Sequence, residues 1–132
     1  MAKKQIFVSY DYDNDKNYKN LLLAWDANKL FDFYMGDASA DVSIDSTNAT
    51  AIKRAISAKI NAVNNFLCIV GKNTYKSKWV LWEIDKAKEL GRKIIAVKID
   101  RENQTPSELL NIGASWAHSF TFDAIKNAID KA

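Results

Sequence analysis

The most distinct feature of the chain is a set of three short runs of consecutive apolar residues, at positions 6–8, 66–70 and 94–97. Within each run the apolar residues follow one another without alternation, which is typical of strands buried on both faces of a parallel sheet. Residues 30–34 and 119–122 are weaker candidates of the same kind. The pattern therefore predicts five strands.

Between the predicted strands, apolar residues recur every three or four positions, which indicates amphipathic helices. Gly91 suits the end of the third helix, and Thr105 with Pro106 suits the start of a short fourth one. The faces predicted to be buried are Tyr18, Leu21, Leu22 and Trp25 in the first helix; Ile52, Ala55, Ile56 and Ile60 in the second; Trp79, Glu83, Ala87 and Leu90 in the third; and Ile125, Ala128 and Ile129 in the last.

Strands that alternate with helices are joined by right-handed crossovers and form an open sheet with helices on both faces. We therefore predict an α/β fold, a flavodoxin-like three-layer domain with a five-stranded parallel sheet and five helices. The chain has 132 residues, which suits a single domain over residues 1–132 whose core needs no disulfide or metal.

Composition and charge narrow the possible functions. The net charge is only +3, and the basic residues are interleaved with acidic ones, so no nucleic-acid partner is expected. No apolar run reaches the length of about 18 residues that a membrane span needs, so no membrane partner is expected. The chain lacks a signal-peptide pattern, which predicts a cytoplasmic location. The single cysteine, Cys68, lies within a predicted strand and is expected to be a buried, unreactive thiol.

Two segments look at first like ion-binding or phosphate-binding loops, but each lacks a required residue. Residues 11–15 resemble the start of a calcium loop, yet Lys16 and Leu22 stand where glycine and glutamate are needed. The segment ending at Gly71 lacks the earlier glycine of a P-loop. The single histidine, His118, has no partner for a metal site and is expected on the surface at the start of the last strand. We therefore predict no metal and no bound cofactor.

The predicted fold places three connecting segments at one edge of the sheet. Residues 36–46 form a polar loop with three aspartates between the second strand and the second helix. This loop and the segments after Val8 and Val70 all follow the carboxyl ends of strands. Ligands of open parallel sheets bind at that edge. We expect any ligand site to lie there.

The segment after the third predicted strand contains a tryptophan and a glutamate one helical turn apart. Ser77 is the predicted N-cap, so Trp79 falls in the first turn and Glu83 lies on the same helix face. In one interpretation, Glu83 is a partly desolvated carboxylate beside an indole, which is typical of a functional site. In the other, which the spacing alone favours, Trp79 packs into the core while Glu83 turns outward and pairs with Lys86.

The same segment resembles the third-helix motif of TIR domains, in which a Ser-x-Trp-Cys-x-x-Glu-Leu pattern follows the third strand. Ser77, Trp79 and Glu83 match it, although valine replaces the cysteine and isoleucine replaces the leucine. Residues 7–12 resemble the first-strand motif of the family. Together with the Asp-Ala-Ser element at residues 37–39, they are most similar to the TIR-like group exemplified by the sensor subunit of the Thoeris anti-phage system.

This resemblance implies a signalling enzyme of anti-phage defence, which cleaves the nicotinamide–ribose bond of NAD and makes a cyclic ADP-ribose-type signal. NAD would be the substrate, an effector protein would be reached indirectly through the signal, and TIR domains would associate with one another. Glu83 is implied as the catalytic glutamate and Trp79 as a wall of the pocket. The other implied substrate-binding residues are Ser9, Tyr10 and Asp11 on the floor, with Asp37 and Ser39 on the covering loop.

The chemistry of this reaction is compatible with a single glutamate. Glycosidic cleavage passes through an oxocarbenium-like state that a carboxylate stabilises. Nicotinamide leaves as a neutral molecule, so no second carboxyl group is needed to protonate it. An aromatic wall would stack on nicotinamide and exclude water. Two alternatives remain open, because a fold alone does not define a function: a non-catalytic TIR module that binds other TIR domains, and a flavodoxin-like binder of another small nucleotide.

Overall fold

The computed structural model describes residues 4–26, 30–35 and 42–132, and these form one parallel sheet with helices on both faces. The predicted α/β, flavodoxin-like architecture is confirmed. β1 and β3 are neighbours at the centre, and their carboxyl ends form the topological switch point of the sheet, where ligands bind in folds of this type. The strands are β1 (Lys4–Ser9), β2 (Phe31–Met35), β3 (Asn65–Val70), β4 (Lys93–Lys98) and β5 (Ser115–Ala117), in the order β2-β1-β3-β4-β5.

The described residues include four α-helices, which are α1 (Tyr12–Trp25), α2 (Ala49–Ala62), α3 (Lys78–Glu89) and α4 (Phe122–Lys131). Helices α1 and α4 cover one face of the sheet, and α2 and α3 cover the other. Single 3-10 turns, Thr74–Lys76 and Ser107–Leu109, follow β3 and β4. Within the three described ranges, no helix is both long enough and apolar enough to cross a membrane.

The apolar runs form the core because strand residues alternate between the two faces of the sheet. In β3, Leu67 and Ile69 pack on the α1/α4 side, whereas Phe66 and Cys68 pack on the α2/α3 side. The rings of Phe66 and Phe7 stack across neighbouring strands at 5.7 Å. Every residue of β3 is buried, which explains why its sequence does not alternate.

The last strand lies earlier than the sequence pattern predicted. It spans Ser115–Ala117, whereas we expected residues 119–122. Thr121 instead caps α4, because its hydroxyl accepts a hydrogen bond from the backbone N–H three residues later at 3.3 Å. Phe120 and Phe122 both pack on the α1/α4 side. The alternating Ser-Phe-Thr-Phe sequence therefore imitates a strand while serving as a helix start.

The predicted fourth helix is also wrong, because only the 3-10 turn Ser107–Leu109 follows Pro106. Asn111 and Gly113 adopt positive φ values of 59° and 72°, which a continuing right-handed helix does not allow. The connection from β4 to β5 therefore contains a single turn where a crossover helix was expected.

Helix α1 buries only part of the predicted face, where Trp25 packs against the α1/α4 core as expected. Leu22 is fully buried as expected, but Tyr18 and Leu21 are 36% and 39% exposed. Asp15 and Lys19 are buried in their place, at 4% and 8% exposure. The physical reason is that the first turns of α1 lie beside the polar carboxyl edge of the sheet, where polar partners replace the apolar core.

Candidate functional site

The carboxylate of Glu83 is joined to the end of β1 by a short, buried hydrogen bond. The Ser9 hydroxyl donates to Glu83 Oε1 at 2.7 Å, and the two residues are 0% and 2% exposed. The outward-facing interpretation of Glu83 is therefore wrong, and Lys86 pairs instead with Glu89 at 3.0 Å. Ser9, from the first-strand motif, and Glu83, from the third-helix motif, therefore meet at the switch point of the sheet.

The local sequence of α3 explains why Glu83 points inward. Ser77 caps the helix as predicted, because its Oγ accepts a hydrogen bond from the backbone N–H of Val80 at 3.4 Å. Val80, Ile84 and Ala87 pack into the α2/α3 core and carry Glu83 inward on the same buried face. Burying a carboxylate is costly even when it is hydrogen-bonded. The position of Glu83 therefore favours a functional role.

Trp79 connects this helix to the segment that precedes α2. Its indole Nε1 donates a hydrogen bond to the backbone oxygen of Val42 at 2.6 Å, and its ring meets Trp82 edge to face at 5.9 Å. A groove of about 530 Å³ opens at this contact, and Asp11, Val42 and Trp79 are among its lining residues. Glu83 does not line the groove, so its carboxylate is covered in this arrangement.

A second buried carboxylate, Asp15, was not predicted to belong to the site. The hydroxyl of Thr74 accepts a hydrogen bond from the backbone N–H of Gly71 at 2.8 Å and lies 3.3 Å from Asp15 Oδ2. Burial and the neighbouring Asp11 raise the pKa of Asp15 from 3.8 to about 6, while the Thr74 hydroxyl acts in the opposite direction. Asp15 thus links the start of α1 to the loop that leads into α3.

A pattern in the sequence could have identified Asp15. The helix dipole favours any acidic residue in the first turn of a helix, so it does not distinguish one acid at 11–15 from another. Asp15, Lys19 and Leu22 are spaced by four and three residues, so they share one helix face, and all three are buried. Leu22, the apolar residue of this face, indicates that the face turns toward the core.

Gly71→Ala should lower the free energy of unfolding by about 2 kcal/mol, because the added methyl group would overlap the Asp15 carboxylate. Asp15 is 4% exposed and has little room to move away. Denaturant titration measures the loss. In an Asp15→Ala background the same substitution should cost much less, which a double-mutant cycle detects. An equal cost in both backgrounds would show that the two residues do not interfere.

The remaining predicted substrate-binding residues lie in different places. Tyr10 is 6% exposed and packs in the cluster on the α1/α4 side, with its ring below Lys19 Nζ at 5.5 Å from the ring centroid. Asp11 lies at the N-cap position of α1 and lines the groove, where its Oδ2 accepts a hydrogen bond from Asn14 at 2.6 Å. Asp37 and Ser39 lie outside the described residues, so their roles stay predictions.

Neither the cysteine nor the histidine belongs to the site. Cys68 is buried as predicted, and its burial, together with the charges of Glu83 and Asp15, raises the pKa of the thiol, which disfavours the reactive thiolate. His118 is exposed as predicted, but it follows β5 rather than beginning it. In the parts of the chain that the structure describes, no three side chains of His, Cys, Asp or Glu are grouped to hold a metal ion.

Solved structures with the same fold include a desoxiribosyltransferase and TIR domains. A 2-desoxiribosyltransferase from Leishmania mexicana superposes with a TM-score of 0.62 at 15% identity, over 97% of each chain. The TIR domains of the activated Roq1 resistosome superpose with a TM-score of 0.53 at 16% identity, over 75% of this chain and 60% of theirs. At these identities the likeness shows the fold alone.

Sequence comparison identifies the family. The family model described as "Thoeris protein ThsB, TIR-like domain" matches residues 7–104. A protein of Bacillus cereus (strain MSX-D12), named "Putative cyclic ADP-D-ribose synthase ThsB1", is 30% identical over 100 residues. That match covers 74% of this chain and 52% of the relative, so the chain spans about half the length of the curated protein it matches. The chain belongs to the ThsB family of TIR-like domains.

Proposed function

We propose that this domain breaks the nicotinamide–ribose bond of NAD and closes the ADP-ribose part into a cyclic product. The main support is the buried pair of Ser9 and Glu83, 2.7 Å apart at the switch point of the sheet. Family membership adds support, because a relative is named for cyclic ADP-D-ribose synthesis. In this proposal NAD is the substrate, and the product acts as a signal to an effector protein in anti-phage defence.

Glu83 stabilises the positive charge that develops on the ribose carbon as its bond to nicotinamide lengthens. Nicotinamide leaves with the bonding electron pair as a neutral molecule, because its ring nitrogen is cationic in NAD. A hydroxyl group of the same molecule then attacks the ribose carbon, and its proton passes to the carboxylate. Ser9 orients that carboxylate through its hydrogen bond to Oε1.

The reaction requires the groups that cover Glu83 to move, because a carboxylate at 2% exposure cannot touch a substrate. The hydrogen bond between Trp79 and Val42 borders the neighbouring groove. In the proposed cycle this contact opens to admit NAD, and Trp79 then stacks on the nicotinamide ring. Reclosure excludes water, which favours attack by the internal hydroxyl over hydrolysis.

The purified chain is incubated with NAD, and mass spectrometry of the small molecules in the mixture tests which bond breaks and which product forms. We expect free nicotinamide together with a cyclic product one water lighter than ADP-ribose. Because a sensor can need a trigger, the same nucleotides are measured in phage-challenged cells that express the chain. ADP-ribose as the sole product would contradict cyclisation, and no nicotinamide release in either setting would contradict the proposal as a whole.

The closed state of the site favours a second candidate function, a non-catalytic module that binds other TIR domains. In such a module the buried contact between Ser9 and Glu83 would only link β1 to α3. Sedimentation velocity over a range of protein concentrations, with nicotinamide measured in the same samples, separates the two functions. Self-association in samples that release no nicotinamide, with or without phage-derived extract, would favour the module.

A further inference from the structure

The connection between β4 and β5 contains no α-helix. In a doubly wound sheet a crossover helix normally covers this region. Here the connection contains only the turn Ser107–Leu109, of which Leu109 is buried against the α2/α3 core. A groove of about 570 Å³ opens beside it, a volume within the range of small-molecule sites. Its lining residues are Lys98, Arg101, Thr105, Trp116 and His118.

An aromatic ring and a cation face the same side of the sheet in this groove. Trp116 pairs with Ala96 in the register of β4 and β5, and both pack on the α2/α3 side. Lys98 is two residues further along β4, so strand alternation brings its side chain to the same face, about 7 Å along the strand. Trp116 and Lys98 are each only partly buried, so both offer surface to a ligand.

The loop that forms the other wall is held in place by hydrogen bonds to the backbone oxygen of Val70. The backbone N–H of Ile99 donates to the oxygen of Val70 at 3.0 Å, and the Asn103 side chain donates to the same oxygen at 3.1 Å. Pro106 is buried at the end of the loop. These contacts fix the loop between Lys98 and Thr105 before any ligand arrives, which lowers the entropy cost of binding.

The described lining residues of the groove carry two permanent positive charges and no carboxylate. Glu102 lies 4.0 Å from Arg101 Nε, but the two side chains are 84% and 91% exposed, so this contact is weak and easily exchanged. Thr105 adds a hydroxyl group. A flat ring beside cations and a hydroxyl matches a ligand that combines an aromatic base with a phosphate.

We propose that this groove binds a mononucleotide, with its base stacked on Trp116 and its phosphate held by Lys98 and Arg101. The groove lies at the ends of β4 and β5, and its lining residues include neither Ser9 nor Glu83. The family match over residues 7–104 includes Lys98 and Arg101 but not Trp116. The proposal is independent of any NAD chemistry at Glu83.

Isothermal titration calorimetry of the full chain with AMP, adenosine and inorganic phosphate tests the site. AMP should bind more tightly than either fragment, because only AMP carries both the base and the phosphate. Trp116→Leu and Arg101→Glu should each weaken AMP binding about tenfold. Arg101 is 91% exposed at its side chain, so its substitution leaves the fold intact. Lys126→Ala, a substitution of a cation on α4, is the matched control and should leave binding unchanged.

Three outcomes would overturn the proposal. One is the absence of AMP binding at millimolar concentration, and another is AMP binding that both groove variants leave unchanged. The third is phosphate that binds as tightly as AMP and is insensitive to Trp116→Leu, which would identify a simple anion site. Nicotinamide release from NAD is measured in the same Arg101→Glu protein and reports on Glu83 alone. Failure of the mononucleotide site is therefore distinguishable from failure of the proposed NAD cleavage.

Discussion

Glu83→Gln should lower nicotinamide release from NAD by about a thousandfold, the largest effect we expect from a single substitution. In the wild type the Ser9 hydroxyl lies 2.7 Å from Glu83 Oε1. Glutamine has the same shape as glutamate, and its side-chain oxygen still accepts this hydrogen bond. The substitution therefore removes the negative charge that stabilises the ribosyl cation while it keeps the contact between β1 and α3. Release of nicotinamide, measured by liquid chromatography under initial-rate conditions, reports the change.

The matched control is Glu89→Gln on the same helix. The side chain of Glu89 is 67% exposed and pairs with Lys86, so its substitution should leave the rate unchanged. Near-ultraviolet circular dichroism of both variants should match the wild type, since neither one removes a core contact. Equal rates above background for wild type and Glu83→Gln would show that Glu83 is not the catalytic group.

Asp15→Asn should change the dependence of stability on pH. Burial and Asp11 raise the pKa of Asp15 from 3.8 to about 6 in the folded protein. Between these two values the unfolded chain loses the proton while the folded protein keeps it, so the wild type loses stability as the pH rises through this window. The full loss is at most about 3 kcal/mol and persists above the folded pKa. Asparagine does not titrate, so the variant avoids this loss.

The measurement is the difference in unfolding free energy between Asp15→Asn and wild type, taken from denaturant titrations at pH values from 4 to 8. We expect the difference to grow in favour of the variant as the pH rises and to level off above pH 7. Asp13→Asn, at an exposed acid in the same helical turn, is the matched control for the loss of one acidic residue at the start of α1. Parallel curves for Asp15→Asn and wild type would contradict the raised pKa.

Local sequence was sufficient to predict a structure wherever that structure depends on neighbouring residues in the chain. The apolar run at residues 66–70 predicted a strand buried on both faces, and β3 is buried at every position. Ser77 was recognised as a helix cap from the residues that follow it, and its hydroxyl does accept the capping hydrogen bond. Gly91 was predicted to end the third helix. It follows the C-cap residue of α3 and has a φ of 71°, the left-handed conformation typical of a glycine that ends a helix.

Local sequence failed where two structures compete for the same residues. Residues 119–122 carry a strand-like alternation, yet Thr121 also suits a helix cap, and the packing of α4 decides between the two. The segment after Pro106 was expected to form a helix. Its positive φ at Asn111 shows that the path back to β5 determined the conformation. Intrinsic propensities are weak compared with such tertiary constraints.

By itself, the sequence determined the fold class, and a family resemblance made Glu83 and Ser9 candidate site residues. Only the tertiary structure decided that Glu83 points inward, since the spacing alone favoured the opposite orientation. It also joined Asp15 to Thr74, 59 residues apart, and Ser9 to Glu83, 74 residues apart. Periodicity reports which face of an element is buried, but the partner that a buried polar group meets depends on how distant elements pack together.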